Sequence, residues 1–323
     1  MKRNIALCFI VLLTAAVSCK PAPAAADVQV GPYTVTAILD SVYHIQDCND
    51  ANPSGETFDE MGNKTHFNNC SDMYLIVGEK KALLIDLSNY IRWADDAVAS
   101  LRSIVSERIG DRKLVITFTH NHGDHTGMLP AYLDDPDVCF ALPSVDFEAL
   151  ADRFPADRSC FFEEGYEFDL GGVRIASLMV PGHTAGSMVF FLEGSDILFA
   201  GDAIGSGHGV WIFNLEAFRS YVDGVNHLVD YIENPVNGID TGKLKIYGGH
   251  YWQKDWFPEL GDNVFGIQYI YDMKQLIGQI ASGNAKSEPS NLENNPLDTY
   301  FRNGQAIIAW NAASAEEYRN RMP

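Results

Sequence analysis

The stretch KLVITFTHNHGDHTG, residues 113–127, sets the terms for the fold. Its first half is apolar on both faces, the mark of a strand buried on both sides. It runs directly into His120, His122, Asp124 and His125, four potential metal ligands within six positions. Polar groups of this kind are costly inside a protein unless they are paired or bound to a cation. The chain must therefore place a strand deep in its core and open it at one end. In a turn after a strand, alternate residues can point the same way. His120 and His122 can then chelate one ion, while Asp124 and His125 turn toward a second position. Taken alone, the cluster fits one ion, two ions or a polar loop.

The same arrangement recurs along the chain. PGHTAGS at 181–187 supplies His183, FAGDAIG at 199–205 supplies Asp202, and YGGHY at 247–251 supplies His250. Each follows an apolar strand pattern, so the strand ends are expected to converge at one edge of a sheet structure, with loops carrying the chemistry. One tetrahedral zinc needs three protein ligands and a water, and seven donors exceed that. Two ions with Asp202 bridging use all seven: His120, His122 and His183 on the first, Asp124, His125 and His250 on the second. Imidazole with carboxylate suits zinc, and also iron or manganese.

Around these motifs strands and helices alternate. YTVTAILDSVYHI (33–45) and MYLIVGEKKALLIDLS (73–88) read as strand pairs, the second turning at GEKK. YIRWADDAVASLRSIVSERIG (90–110) has helical apolar spacing and stops at a glycine, and NLEAFRSYVDGVNHLVDYI (214–232) is amphipathic. Residues 262–282 read as helix and TYFRNGQAIIAWN as a hairpin turning at Asn303-Gly304. The expected organisation is a metal-binding domain over 32–258 and a helix-plus-hairpin appendage over 259–323, packed on it, lining the entrance or making a dimer contact.

The N-terminus reads as a targeting segment. Lys2 and Arg3 precede an apolar run too short to span a bilayer comfortably, and AVSCK ends in a lipobox-like Cys19. Residues 1–19 are read as a signal peptide and 20–31, rich in Ala and Pro, as a linker. The expectation is an exported bacterial lipoprotein of the periplasm or outer membrane, touching the membrane only through its lipid anchor. Cys48, Cys70, Cys139 and Cys160 remain, and nearest-neighbour pairing, Cys48–Cys70 and Cys139–Cys160, is expected in an oxidising compartment; four buried thiols are the alternative. The formal net charge of −20 over 323 residues repels phosphate backbones, so no nucleic-acid partner is expected.

In order and spacing, THNHGDHTG, PGHTAGSM, LFAGDA and YGGH resemble the motif series of the metallo-β-lactamase superfamily across roughly residues 33–256. The resemblance implies an α+β, four-layer αβ/βα sandwich with a dinuclear site at the open edge of two packed sheets. It assigns the seven ligands as above. LLIDLS resembles the family's first motif, which makes Asp86 a support for the metal loop from behind. Where the family usually carries Gly two residues later, this chain has Ser88.

The implied activity is hydrolysis of an ester, lactone, thioester or phosphodiester in a small molecule, by a hydroxide activated on two zinc ions. Asp124 would orient that nucleophile and take its proton. An acid at the bridging position is unusual in true β-lactamases of this fold, so β-lactam hydrolysis is an alternative, as is mono-iron persulfide dioxygenase chemistry. The loop 46–71 lies where the fold drapes a loop over the metals, which makes Phe58, Met61, His66 and Phe67 candidate substrate contacts. A disulfide-pinned surface loop is the other reading. His208 and Trp211 follow Asp202 closely and Tyr251 adjoins His250, so these three are further candidates.

Overall fold

The structure, a computed structural model, describes residues 27–47, 57–58, 64–65, 70–205, 209–250, 264–290 and 296–321. Its largest sheet has eight strands. They run in the order β1 (Val28–Val30), β2 (Tyr33–Leu39), β3 (Val42–Gln46), β6 (Asp72–Val77), β7 (Lys81–Ile85), β8 (Lys113–Thr117), β9 (Val138–Pro143) and β10 (Ser159–Phe162), numbered along the chain. The intervening β4 (Thr57–Phe58) and β5 (Lys64–Thr65) form a ribbon of their own. The second sheet orders β11 (Glu167–Asp169), β12 (Arg174–Met179), β13 (Met188–Leu192), β14 (Ile197–Gly201), β16 (Lys245–Gly248) and β17 (Val264–Phe265). Helix α1 (Ala97–Ile109) links β7 to its parallel neighbour β8, and α4 (Leu215–Glu233) links β14 to its parallel neighbour β16. Parallel pairs need such crossovers.

Strand alternation makes the layers. In β6 and β7, Tyr74, Ile76, Leu83 and Ile85 face the second sheet's Ile175, Phe190 and Phe199. The residues between them, Met73, Leu75, Ala82 and Leu84, face Leu101, Ile104 and Val105 of α1. The second sheet repeats this outward, with Val189, Phe191 and Leu198 packed on Phe218 and Val225 of α4 and Met273 of α5 (Ile267–Ser282). The order is helix, sheet, sheet, helix, as the resemblance implied. Strands sandwiched in this way have no polar face, which accounts for the continuous apolar runs.

Several expectations shift. The helix expected from Tyr90 begins at Ala97, and the tail helix begins at Ile267, after β17. Cys139 and Cys160 are exposed free thiols, so the expected Cys139–Cys160 bridge is not formed. Their strands are parallel, and Cys160 stands opposite Ala141, so the thiols are offset by two residues instead of facing one another. Cys48 and residues 1–19, the expected signal segment with Cys19, lie outside the described residues. Among the described residues no helix is long and apolar enough to cross a membrane.

The C-terminal residues join the body through a third sheet, ordered β15 (Val210–Trp211), β20 (Ala306–Trp310), β19 (Thr299–Asn303) and β18 (Lys286–Pro289). The hairpin forms, but its two-residue turn is Gly304-Gln305, one position later than expected, because Asn303 still belongs to β19 and pairs with Ala306; β20 pairs in parallel with β15, just beyond Asp202. Helix α6 (Ala312–Arg321), not anticipated from the sequence, closes the end. Trp310 is fully buried and stacks on Phe218 of α4 at 4.3 Å between ring centroids, with Tyr318 of α6 edge-on to both. Trp310→Ala is expected to cost about 3–5 kcal/mol, read as a lower urea midpoint at unchanged slope, with Trp310→Phe losing much less.

Candidate metal centre

Five strand ends deliver the site: β7 leads to Asp86, β8 to His120, β12 to His183, β14 to Asp202 and β16 to His250. After β8 the chain enters a single helical turn, α2 (Gly123–Thr126), which carries Asp124 and His125. All seven expected ligands come together. His183 Nε2 lies 2.9 Å from His122 Nδ1, and His125 Nε2 lies 3.4 Å from His250 Nε2. Asp202 stands between the two groups, its Oδ2 at 3.5 Å from His183 Nε2 and 3.1 Å from His250 Nε2, its Oδ1 at 3.5 Å from His125 Nε2. Asp124 Oδ2 is 3.4 Å from His250 Nε2. Donor atoms within 4.8 Å of one another form the sets His120–His122–His183, Asp124–His125–His250 and His120–His125–Asp202.

The backs of the rings are tied down. His125 Nδ1 meets Asp86 Oδ2 at 2.9 Å, His120 Nδ1 meets Thr119 Oγ1 at 3.0 Å, His183 Nδ1 donates to the Trp211 carbonyl and His250 Nδ1 to the Cys70 carbonyl. Such partners fix the ring and leave Nε2 directed into the centre. Asp86 also accepts from the Thr119 amide and hydroxyl, at 2.7 and 2.8 Å, so it lies behind the loop that carries His120 and His125. The 248–250 loop is gripped from the first sheet, the Tyr74 hydroxyl donating to the Gly248 carbonyl and the Asp72 amide to that of Gly249.

The donor set fits divalent cations. His120 Nε2, Asp124 Oδ1 and Asp202 Oδ1 are buried without a hydrogen-bond partner among the described residues. A native interior rarely leaves such atoms bare, and a cation is what this mixture of imidazole and carboxylate suits. Space is also reserved: a Cβ on Gly249 would sit 2.1 Å from Asp202 Oδ1 and 2.9 Å from His125 Cε1.

Charge divides the site. Burial pushes the His120 imidazole well below its ordinary value, as do the neighbouring His125, His122 and His183. Burial takes His183 down to about 4, with His122 acting in the same direction. These rings stay neutral, with lone pairs available. Burial also depresses His125 and His250, but Asp202 and Asp124 outweigh it, raising His125 well above its ordinary value and His250 to about 9. Asp202 is opposed by burial and held well below the usual carboxylate range by His250 and His125.

Some supports carried no sequence signal. Asp146, in the short helix α3 (Ser144–Phe147), accepts from the Gly186 amide at 2.7 Å and the Thr184 hydroxyl at 2.7 Å, holding the loop of His183. Phe213, 40% exposed, lies 6.1 Å from the His122 ring and 5.8 Å from that of His183. Trp211, a sequence candidate, reaches the site through its carbonyl, while its side chain packs against the cluster of Leu297, Tyr300, Ile307 and Ala309. Met61, His66, Phe67, His208 and Tyr251 lie outside the described residues, and of Phe58 only the backbone is described.

A family model described as the metallo-beta-lactamase superfamily matches residues 71–239, just over half of the 323 residues. The chain belongs to the metallo-beta-lactamase superfamily. Solved structures agree on the superfamily fold: a metallo beta lactamase from Erythrobacter litoralis superimposes with a TM-score of 0.54 at 16% identity, covering 78% of this chain and 99% of that one. Among sequence relatives, an atrochrysone carboxyl ACP thioesterase of Aspergillus chevalieri is 31% identical over 173 residues, 52% of this chain and 51% of that protein. An acyl-coenzyme A thioesterase of Gallus gallus is 24% identical over 242 residues, 67% of this chain and 79% of that protein. The chain spans about half the length of the fungal relatives it matches.

Two outcomes are expected. Gly249→Ala should force the Asp202 carboxylate aside and lower zinc affinity about tenfold or more, measured by chelator competition, with far-UV circular dichroism unchanged. In the metal-free chain, the raised pKa of His250 means that folding takes up a proton. That stability is fully present below about pH 6.5 and is lost as the pH rises through about 9. Thermal melts in chelator should therefore show wild type losing more stability over this window than His250→Gln.

Proposed function

We propose that this superfamily member is a hydrolase of small thioester or related ester substrates, working with two divalent ions, zinc by donor chemistry. His120, His122 and His183 would hold one ion, Asp124, His125 and His250 the other, with Asp202 shared. The observation that carries the reading is the pair of donor sets that have no residue in common, with Asp202 within 3.5 Å of a histidine from each. A single ion, as in the mono-iron alternative, would leave Asp124, His125 and His250 without a purpose. When bound, such ions polarise a carbonyl and make water a usable nucleophile at neutral pH.

The chain's own residues supply the rest. Asp124, with Oδ1 buried and without a hydrogen-bond partner among the described residues, is placed to orient the attacking water and take its proton. The neutral His120 and His183 keep the first set free of competing protons. Phe213 offers an exposed apolar face beside His122 and His183, a seat for the acyl part of a substrate whose carbonyl lies over the centre. The relatives named as thioesterases support thioester as the scissile bond. On its first nineteen residues we place the protein outside the cytoplasm, held by a lipid on Cys19.

The test is metal analysis with a substrate panel of acyl thioesters, p-nitrophenyl esters, lactones, phosphodiesters and nitrocefin. Two zinc per chain, with thioester turnover above the rest, is expected. Phe213→Ala should raise KM for long acyl chains several-fold and leave kcat within about twofold, the loss of uniform binding. One iron per chain with oxygen uptake on a persulfide would overturn the proposal, and preferential nitrocefin turnover would reassign the substrate.

A further inference from the structure

The turn that presents Asp86 is left-handed at residues other than glycine. Asp86 has φ of +64° and Ser88 φ of +57°, a left-handed conformation at two non-glycine positions within three residues. A Cβ is disfavoured there, and such a conformation persists only where its surroundings impose it. The turn is also sewn to the metal helix. The Leu87 amide donates to the His125 carbonyl at 2.7 Å, Gly127 to Ser88 at 2.8 Å and Met128 to Leu87 at 2.8 Å. Any shift of the turn moves α2, and with it Asp124 and His125.

What imposes the turn is a fully buried carboxylate at the end of β3. Asp47 Oδ2 accepts from the Ser88 hydroxyl at 3.0 Å, the Asn89 amide at 3.2 Å and the Asn89 side chain at 2.8 Å. Burial raises the Asp47 carboxyl, and these donors draw it back. The same network reaches the other histidine of the second set. Asn89 Nδ2 donates to Ser71 Oγ at 3.0 Å and the Asp47 amide to the Ser71 carbonyl at 3.2 Å. Ser71 adjoins Cys70, whose carbonyl accepts from His250.

We propose that Asp47 is a positioning residue for the second ion: its carboxylate pins Ser88 and Asn89 so that the left-handed turn is kept without a glycine, and Asp86 can orient His125 while Ser71 and Cys70 orient His250. The proposal rests on the two-ion reading above. It predicts an asymmetry, since His183 is held by the Trp211 carbonyl and Asp146 instead, and of the first set only His120 shares Asp86, one step removed through Thr119.

Zinc affinity by chelator competition, on Asp47→Ala, Asp47→Asn, Ser88→Gly and Asp47→Ala/Ser88→Gly, tests it. Asp47→Ala should weaken one of two zinc sites by about ten- to a hundred-fold and leave the other within about threefold. Asp47→Asn, which keeps one acceptor oxygen, should fall between and fold with an unchanged far-UV spectrum, so the test survives if Asp47→Ala does not fold. Ser88→Gly should be near neutral alone and recover much of the loss when added to Asp47→Ala, because glycine adopts the turn unaided. Equal weakening of both sites, a lower melting temperature at unchanged affinities, or no rescue by Ser88→Gly overturns the proposal while leaving the two-ion reading intact. A wild-type chain that binds no zinc overturns both.

Discussion

Asp202 is a carboxylate taken out of water at the end of a strand buried on both faces, and the structure around it answers that cost. An isolated buried carboxylate would take up a proton. Here His125 and His250 hold it ionised, and it holds them protonated in return. Without metal, the centre is thus a cluster of mutually dependent charges. A divalent ion replaces those protons with a fixed positive charge at the same place. The half formed by His120 and His183 is built differently, from rings that burial keeps neutral. The two halves of the centre therefore differ in the charge their rings carry.

Rigidity for this arrangement comes from the layers. Donors seated at the ends of strands in two packed sheets cannot drift relative to one another without disturbing the interior between them. The contact of Tyr74 with Gly248 illustrates the point, since one side chain from the intersheet layer fixes the loop that carries His250. Gly249 lets that loop pass within 2.1 Å, measured from the Cβ it lacks, of the Asp202 carboxylate. Precision at the centre is therefore inherited from apolar packing several residues away.

The candidate ligands were legible in sequence because each combines two local signals, an apolar strand and a polar cluster at its end. The layer order followed from the motif series, and the C-terminal hairpin from turn chemistry, though its turn falls at Gly304-Gln305. What stayed hidden depends on contacts between distant segments. Asp146 reads as an ordinary acid in SVDF until the fold lays it against Gly186, 40 residues on. Asp47 reads as a loop residue until Ser88 closes on it, 41 residues on. The expected bridge between Cys139 and Cys160 failed for a related reason. Count and compartment suggest pairing, but strand register decides which residues face each other.

The C-terminal residues, read from sequence as an appendage, have a structural claim on the site itself. Strand β15 lies between Asp202 and α4, and it is too short to be stable alone. Its partner is β20, and the Ile212 amide donates to the Ala309 carbonyl at 2.9 Å. Gly209, at φ of +90°, lets the chain press against Ile307, where a Cβ would meet its carbonyl at 2.5 Å. Tyr269 of α5 donates to the Ile204 carbonyl on the other side of the same segment. This segment supplies the Trp211 carbonyl that orients His183, and then Phe213 at the rim. A candidate ligand histidine from the middle of the chain is thus held in register by residues from its end. Differences among family members in that third sheet would alter both how firmly His183 is held and the shape of the apolar face that meets a substrate.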